Sequence, residues 1–340
     1  MNTVIMFIRG IVIGVANLIP GVSGGTMALI LGIYERMISA LHNISLSTVT
    51  SFFGLLRFSK ESRKRFADEM QKIDFVFLLT VFMGAATAAA LFVKLMVHVL
   101  STYHDPTYGF FFGLVLPSVY VPFREVKNRS RAVYVCAVLA ALLVIGSDSI
   151  VSDRDVIAKE QARYELELRE QSADSGAVRA TFTVYGGVLL AASGALAVSA
   201  MILPGISGSF VLLLLGQYFV LLEAVSEINI PYLALFMAGV VAGLLLFTRF
   251  LHFLLKKFHD TTMGFLTGLV AGSLWIIWPF KESVQIGTSA VKGYPETVYL
   301  SNTLPSAFGM NEAVTVISCA AGVLIVCVMI RIEERKNISA

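Results

Sequence analysis

Seven apolar runs, each close to the length of a membrane span, are the strongest constraint on how this chain folds. A helix needs about 20 apolar residues to cross a bilayer. The runs are Met6–Leu18, Phe75–Leu100, Ala132–Ile145, Val184–Leu203, Tyr232–Leu255, Met263–Trp278 and Ala313–Ile330. Only 14% of the 340 residues are charged, whereas a soluble domain has about 25%. The sequence therefore predicts an all-α polytopic membrane protein.

The composition also limits the partners and the chemistry. A net charge of +3 is small and dispersed, which argues against nucleic acid as a ligand. The three cysteines all fall inside apolar runs, where a free thiol packs as a small hydrophobe. We therefore expect no disulfide framework, no metal site and no cofactor.

Two motifs occur twice, in the same order along the chain. Leu18–Tyr34 (LIPGVSGGTMALILGIY) aligns without gaps on Ile202–Tyr218 (ILPGISGSFVLLLLGQY), with eight of 17 positions identical. Tyr103–Ser118 (YHDPTYGFFFGLVLPS) aligns on Phe258–Ser273 (FHDTTMGFLTGLVAGS), with nine of 16 identical. Self-similarity of this kind indicates a duplicated structural unit.

The repeats define the predicted organisation. Each repeat is expected to hold about five membrane segments, one pair of which forms a broken or re-entrant helix hairpin. The predicted parts are a first repeat over 1–150 with its hairpin tip at 20–25 and a cytoplasmic loop at 43–74, an extracytoplasmic charged linker over 151–180, and a second repeat over 181–340 with its tip at 204–209.

Loop charge predicts the orientation, because Lys and Arg concentrate on the cytoplasmic side of a membrane. The segments 43–74 and 124–131 and the C-terminal tail are rich in basic residues, so we place them and both termini inside. The segments 151–180 and 281–310 are not, and we place them outside. The two His-Asp turns of the second motif then face opposite sides, which predicts inverted-topology repeats with a binding site between them.

The PG[VI]SG segments are the predicted site. Proline and glycine interrupt a helix, and broken backbone at membrane depth survives only beside protein or a water-filled cavity. The helix that restarts after each break presents amide groups and a positive dipole end, which favour an anion. The hydroxyls of Ser23, Thr26, Ser207 and Ser209 add donors. The alternative is that the small residues only allow close helix packing.

Charged residues within apolar runs are further candidates, because they are costly there. Lys94 and Arg249 align with each other, and inversion sends them toward opposite faces. They either attract a headgroup on their own side or extend to the nearest interface. Arg9, Glu35 and Glu223 are candidates for gating or for coupling transport to a proton or sodium ion, since burial raises a carboxyl pKa toward neutrality.

The segment GVANLIPGVSGGTMALILGIYERM (Gly14–Met37) and its second copy resemble the bacterial polyprenyl-phosphate transporters of the PopT type. This resemblance covers nearly the whole chain. It implies return of undecaprenyl phosphate, the carrier of cell-wall precursors, from the outer to the inner leaflet of the bacterial cytoplasmic membrane. The binding positions that it implies are Asn17, Pro20, Gly21, Ser23, Gly24, Gly25 and Thr26 in the first loop and Pro204, Gly205, Ser207 and Gly208 in the second. Ser209-Phe210 departs from the Gly25-Thr26 pattern.

Three other functions remain open on the residues alone. Both loops read G-x-S-G, as in rhomboid serine proteases, but no histidine recurs with each serine. The loops are also similar to the PGxS loop of the undecaprenyl-pyrophosphate phosphatases, which carry an arginine where this chain has Gly24 and Gly208. A secondary transporter of a small soluble anion would use the same helix starts.

Overall fold

The computed structural model describes residues 3–18, 22–45, 47–48, 50–51, 59–150, 157, 184–226, 228–288, 295–305 and 307–338. Pro20 and Gly21 of the first predicted loop lie outside the described residues. So does nearly all of the predicted linker over 151–180 and the centre of the predicted cytoplasmic loop, 52–58.

The first half is helical and contains the predicted hairpin. Its helices are α1 (Thr3–Asn17), α2 (Gly24–Ile30), α3 (Tyr34–His42), α4 (Lys60–Lys72), α5 (Phe75–Thr102), α6 (His104–Ser118), α7 (Tyr120–Arg124) and α8 (Arg131–Ile150). The tip lies between α1 and α2. Ser59 starts α4, because its hydroxyl accepts a hydrogen bond from the Ser62 amide and so satisfies one of the free donors of the first turn.

Among the described residues, the second half repeats the order of the first without counterparts of α4 and α7, and it adds a small hairpin of strands. Its elements are α9 (Val184–Ile202), α10 (Gly208–Leu214), α11 (Tyr218–Ser226), α12 (Ile230–Lys257), α13 (His259–Ile276), β1 (Lys281–Thr288), β2 (Pro295–Asn302) and α14 (Met310–Ile338). The tip lies between α9 and α10. Asn229 caps α12, and the proline that follows sits in the first turn, where no backbone donor is lost.

Within the residues that the structure describes, five helical segments are long and apolar enough to cross a membrane: 75–92, 104–124, 185–202, 230–257 and 310–332. Two shorter apolar helices cover 3–17 and 131–147. The prediction of an all-α polytopic membrane protein is confirmed. The antiparallel pair of β1 and β2 is the only sheet within the described residues, and it lies outside the predicted spans.

The long helices pair in the same manner in both halves, and two of the pairs join one half to the other. Within the halves, α1 packs along α5, and α9 packs along α12. Between the halves, α6 packs along α14, and α8 packs along α13. Each half therefore completes the helix packing of the other, and the two cannot be separate domains.

Glycines mark the closest points of the pairs that join the halves. A Cβ atom on Gly113 of α6 would meet the carbonyl oxygen of Cys319 on α14. A Cβ on Gly268 of α13 would meet the carbonyl oxygen of Ala137 on α8. Gly113 and Gly268 occupy the same position of the second repeated motif. The same close backbone contact, of the kind that small residues allow in membranes, therefore occurs twice.

The two His-Asp turns lie at opposite ends of the bundle. Asp260, at the start of α13, accepts hydrogen bonds from residues of the 124–131 loop, and His259 lies 3.5 Å from Glu35 at the start of α3. The adjacent Arg36 pairs with Asp74, immediately before α5. The 28 residues of α5 then extend about 42 Å to the other turn.

The opposite end of the bundle is covered by the strand hairpin. The ring of His104 stacks on Tyr299 of β2, with centroids 3.3 Å apart. Asp105 accepts a hydrogen bond of 2.9 Å from the side chain of Asn311, at the start of α14. Trp278 donates its indole N–H to the backbone oxygen of Thr303. The segment 281–310 and the first His-Asp turn are therefore neighbours.

Candidate functional site

The two hairpin tips touch each other. The Ser23 hydroxyl donates to the backbone oxygen of Leu203 at 3.3 Å, and the Gly205 amide donates to the Thr26 hydroxyl at 3.2 Å. Tyr34 adds a hydrogen bond from its hydroxyl to the backbone oxygen of Ile202 at 3.1 Å. Ser23, Thr26 and Tyr34 are all buried. The contact joins the halves at the two segments that the sequence singled out.

The tips lie deep in the bundle. Gly205 packs against Leu269 and Ser273 of α13, which are ten and 14 residues from the start of that helix at His259. With a rise of 1.5 Å per residue, Leu269 lies about 15 Å along the helix from that end. The tips are therefore well below the end of the bundle that carries the second His-Asp turn.

The first tip uses its own side chains to satisfy its amides. The Gly24 amide donates to the side-chain oxygen of Asn17 at 2.9 Å, and the Gly25 amide donates to the hydroxyl of Ser23 at 3.2 Å. Ser23 is thus the N-cap of α2. We expected free amides here, and these two already have partners. Asn17 and Ser23 act as structural caps in this conformation.

The second tip is open by comparison. Ser207 precedes α10 with the backbone dihedrals of Ser23, but its hydroxyl caps no amide. It pairs instead with the hydroxyl of Ser209 at 2.9 Å. In the described part of the chain the amides of Gly208 and Ser209 have no hydrogen-bond partner. Two hydroxyls and two amides are therefore available to a ligand.

One substitution between the copies explains the free amide of Gly208. The position of Asn17 is occupied in the second copy by Met201, which has no oxygen to accept a hydrogen bond from an amide. Ser209 is exposed and Ser207 is half-buried, so their hydroxyls are accessible, whereas Pro204 and Gly205 are buried. The donor groups of the candidate site are thus concentrated on one of the two copies.

Gly205 adopts a backbone conformation that favours glycine over other residues. Its φ angle is +81°, in the left-handed region that glycine adopts without a steric cost. A Cβ at this position would lie 2.5 Å from the backbone oxygen of Leu269. Glycine is therefore required at position 205 by the turn and by the close approach of α13.

Lys94 and Arg249 occupy equivalent places at opposite ends. Each lies eight residues before the end of its helix, α5 or α12, and each side chain is exposed. The ends of these helices are the two His-Asp turns. The structure thus places the two cations toward opposite ends, and in the described part of the chain neither forms a hydrogen bond or an ion pair with the tips.

The predicted gating residues lie on three different helices, α1, α3 and α11. Glu35 is exposed, at the end of the bundle that carries His259. Arg9 is half-buried on α1, and Glu223 is half-buried on α11. The structure does not bring these three residues together into one cluster.

The repeated His-Asp pair has a structural role that sequence reasoning left unassigned. Both oxygens of Asp260 accept hydrogen bonds of 2.9 Å from backbone amides, those of Lys127 and Asn128, just before α8. These two bonds lower the pKa of the Asp260 carboxyl. Asp105 holds the start of α14 through Asn311. Each aspartate therefore fastens the beginning of the helix that packs along its own.

The described residues contain no group of three or more His, Cys, Asp or Glu side chains that could hold a metal ion. The polar groups at the tips are hydroxyls and amides, which bind an anion by donating hydrogen bonds to it.

Comparison with known proteins identifies the family. The sequence profile of undecaprenyl phosphate translocase-like proteins matches residues 13–293.

The chain belongs to the undecaprenyl phosphate translocase-like family. It is similar to a polyprenyl-phosphate transporter of Vibrio cholerae, with 36% identity over 287 residues, or 84% of this chain and 80% of the relative. A second polyprenyl-phosphate transporter, from Staphylococcus aureus, is 28% identical over 285 residues, or 81% of this chain and 86% of the relative. No solved structure matches the chain.

Membership of the undecaprenyl phosphate translocase-like family makes this chain a transporter rather than an enzyme. The protease and the phosphatase considered on the residues alone are therefore set aside. The predicted resemblance to the polyprenyl-phosphate transporters, based on the PG[VI]SG loops, is confirmed.

Proposed function

We propose that the protein returns undecaprenyl phosphate from the outer to the inner leaflet of the bacterial cytoplasmic membrane. The family description and the names of the two relatives support a polyprenyl phosphate as the substrate. The apolar helices support a path within the bilayer. The direction follows from the resemblance and from the need to recycle a carrier that is released outside.

The headgroup site that we propose lies at the second tip. The observation that carries it is the open end of α10, where the hydroxyls of Ser207 and Ser209 pair only with each other and the amides of Gly208 and Ser209 have no partner among the described residues. A phosphate oxygen accepts hydrogen bonds from all of these groups. Hydrogen bonds to a charged group contribute about 1.5–3 kcal/mol each.

Alternating access is the proposed means of exposing this site to each leaflet. The opposite placement of the two His-Asp turns and the duplicated helix pairs support inverted repeats, which open a central site by moving one half against the other. The hydrogen bonds from Ser23 and to Thr26 hold the tips together in the present conformation. In this proposal the second tip carries the ligand and the first tip is its support.

Glu223 is the proposed coupling residue, because it is the half-buried carboxylate among the candidates. A proton or sodium ion bound there would link transport to an ion gradient. The pH dependence of transport, measured in wild type and in Glu223→Gln, tests this role of Glu223. Identical profiles would remove Glu223 from the mechanism, and a loss of pH dependence in the variant would support it.

Leaflet-resolved transport of undecaprenyl phosphate in proteoliposomes tests the function. We expect Ser207→Ala/Ser209→Ala to slow transport by about tenfold or more, since two charge-assisted hydrogen bonds are lost. Ser199→Ala is the matched control, because its hydroxyl is bonded within its own helix to the Ala195 oxygen. Wild-type rates in the double variant would refute the headgroup site.

A parallel arm separates the lipid from a soluble anion. Inorganic phosphate is loaded on one side of the proteoliposomes, and its passage is measured with and without undecaprenyl phosphate. We expect no protein-dependent passage of inorganic phosphate. If inorganic phosphate crosses and the lipid does not, the substrate is a small anion and the proposed function is wrong.

A further inference from the structure

A polar cleft lies away from the tips, at the end of the bundle that carries the second His-Asp turn. It has a volume of about 400 Å³ and opens to the surface between the start of α8 and the junction of α12 with α13. Its lining residues are Lys127, Asn128, Ser130, Lys256, Lys257, Phe258, His259, Asp260 and Thr261. This size is within the range of small-molecule sites.

The charge of the cleft is strongly unbalanced. Three lysines, Lys127, Lys256 and Lys257, line it, and none forms an ion pair with a carboxylate in the described part of the chain. The one carboxylate of the lining, Asp260, has both oxygens engaged by backbone amides. The lining therefore carries an excess of positive charge, and because like charges repel one another, an anion bound among the lysines lowers that cost.

His259 also lines the cleft. Its ring lies between two carboxylates, 3.4 Å from Asp260 and 3.5 Å from Glu35. These contacts hold the imidazole in place on the wall of the cleft. The three ammonium groups and the Ser130 hydroxyl remain as donors, which is the set of groups that binds a phosphate.

The rim of the cleft is aromatic. Lys257 lies over the rings of Phe253 and Phe258, 5.5 and 5.4 Å from their centroids. Both phenylalanines are about half exposed on the outside of the bundle, Phe253 on a helix apolar enough to cross the membrane. An apolar rim beside basic residues suits a lipid, whose chain packs against the phenylalanines while its headgroup lies among the lysines. A soluble anion makes no such apolar contact.

We propose that this cleft is a second, peripheral site for the phosphate monoester headgroup of a lipid in the adjacent leaflet. The site is separate from the tips and shares no residue with them. It rests on the proposed function only for the identity of the lipid chain. A headgroup that arrives at or leaves the bundle at this end would be held by Lys127, Lys256 and Lys257 beside the membrane surface.

Hydrogen exchange of the full-length protein in nanodiscs tests the site locally. Polyprenyl phosphate is titrated in, and the uncharged polyprenol is titrated in a parallel sample. We expect the 124–131 and 256–261 peptides to be protected by the phosphate lipid and not by the polyprenol. Equal effects of the two lipids, or no protection by either, would overturn the proposal.

Charge variants provide the matched comparison. Lys127→Gln/Lys256→Gln/Lys257→Gln should raise the lipid concentration for half-maximal protection by about tenfold. Arg63→Gln/Lys64→Gln/Arg65→Gln removes the same charge from exposed positions of α4 and should change it by less than about twofold. Equal shifts in the two triple variants would mean general attraction to the surface, and would refute a specific site.

Two further arms distinguish this site from a soluble-anion site and from an extension of the tip site. Inorganic phosphate in place of the lipid should give no protection at the concentration where the lipid saturates, and protection by it would make this a soluble-anion site. Ser207→Ala/Ser209→Ala should leave protection of the 256–261 peptide unchanged while it slows transport. Loss of both in that variant would show that the cleft is not independent of the tips.

Discussion

The backbone amide of Gly205 donates a hydrogen bond to the hydroxyl of Thr26 across 3.2 Å, and this bond joins the two copies of one motif at their tips. The relationship is one-sided, because the second copy has Phe210 at the position of Thr26 and cannot return the bond. A duplicated unit has therefore become asymmetric where its copies meet. The first copy supplies the side chains of the contact, and the second supplies backbone groups and retains free donors.

The first prediction concerns this bond. Thr26 is 2% exposed, so Thr26→Val keeps the shape of the side chain but leaves the Gly205 amide buried without an acceptor. We expect a loss of stability of about 1–3 kcal/mol, measured as a lower midpoint of thermal unfolding in detergent. Thr26→Ser keeps the hydroxyl and should lose much less. Equal midpoints for the two variants would contradict the role of the bond.

The second prediction concerns the turn at Gly205. In Gly205→Ala the new methyl group meets the Leu269 oxygen, and the left-handed backbone is unfavourable for alanine, so we expect destabilisation by more than about 1 kcal/mol. Gly146→Ala is the matched control, since nothing lies within 4 Å of its added methyl group. Unfolding midpoints of both variants provide the check, and a stable Gly205→Ala protein would show that the tip rearranges freely.

The sequence predicted the membrane class, the helix hairpins and the motifs that meet at the tips. These features follow from local information: apolar runs of span length, and proline with glycine inside them. The alignment of Ser23 with Ser207 correctly anticipated equivalent helix starts, since both serines have a φ of −98°. The seven apolar runs did not include the segment over 104–124, where polar residues dilute the pattern.

Other features depend on contacts between distant residues and were not predicted. The packing of helices from one half along helices of the other depends on which helix surfaces are complementary. The glycines Gly113 and Gly268 indicate close contacts, but the sequence does not show which helices they contact. The strand pair over 281–302 lies in a segment that hydropathy marks only as a loop. The first tip is capped because the Gly24 amide donates a hydrogen bond to the side chain of Asn17. The alignment shows that Met201 replaces Asn17 in the second copy, but the consequence is clear only once this bond is known.

The third prediction tests the two helix pairs that join the halves. Gly113→Ala and Gly268→Ala each place a methyl group against the backbone of a helix from the other half, at Cys319 and Ala137 respectively. Overpacking of this kind costs about 1–3 kcal/mol, so both variants should unfold at lower temperature than Gly146→Ala. Because the two sites are equivalent, the two losses should be similar. A loss in one variant alone would mean that one of the two helix pairs is loose.

The fourth prediction uses the carboxylate of Asp260. Its folded pKa is lowered by the amides of Lys127 and Asn128, so its contribution to stability is present above the ordinary carboxyl pKa and is lost as the pH falls through the lowered value. Hydrogen exchange of these two amides should therefore be protected throughout the neutral range. Asp260→Ala should remove that protection at neutral pH, and continued slow exchange in the variant would disprove the contact.

The fifth prediction concerns Lys94 and Arg249, which lie at equivalent positions toward opposite ends of the bundle. If each attracts the headgroup on its own side, Lys94→Gln should raise the apparent KM only for lipid that starts in one leaflet, and Arg249→Gln only for lipid that starts in the other. Both side chains are exposed, so the change should be about fivefold at most. Lys94→Arg and Arg249→Lys keep the charge and should retain the wild-type KM. Leaflet-resolved transport started from each side measures all four variants, and equal effects from both sides would mean that the two cations only anchor their helices at the interface.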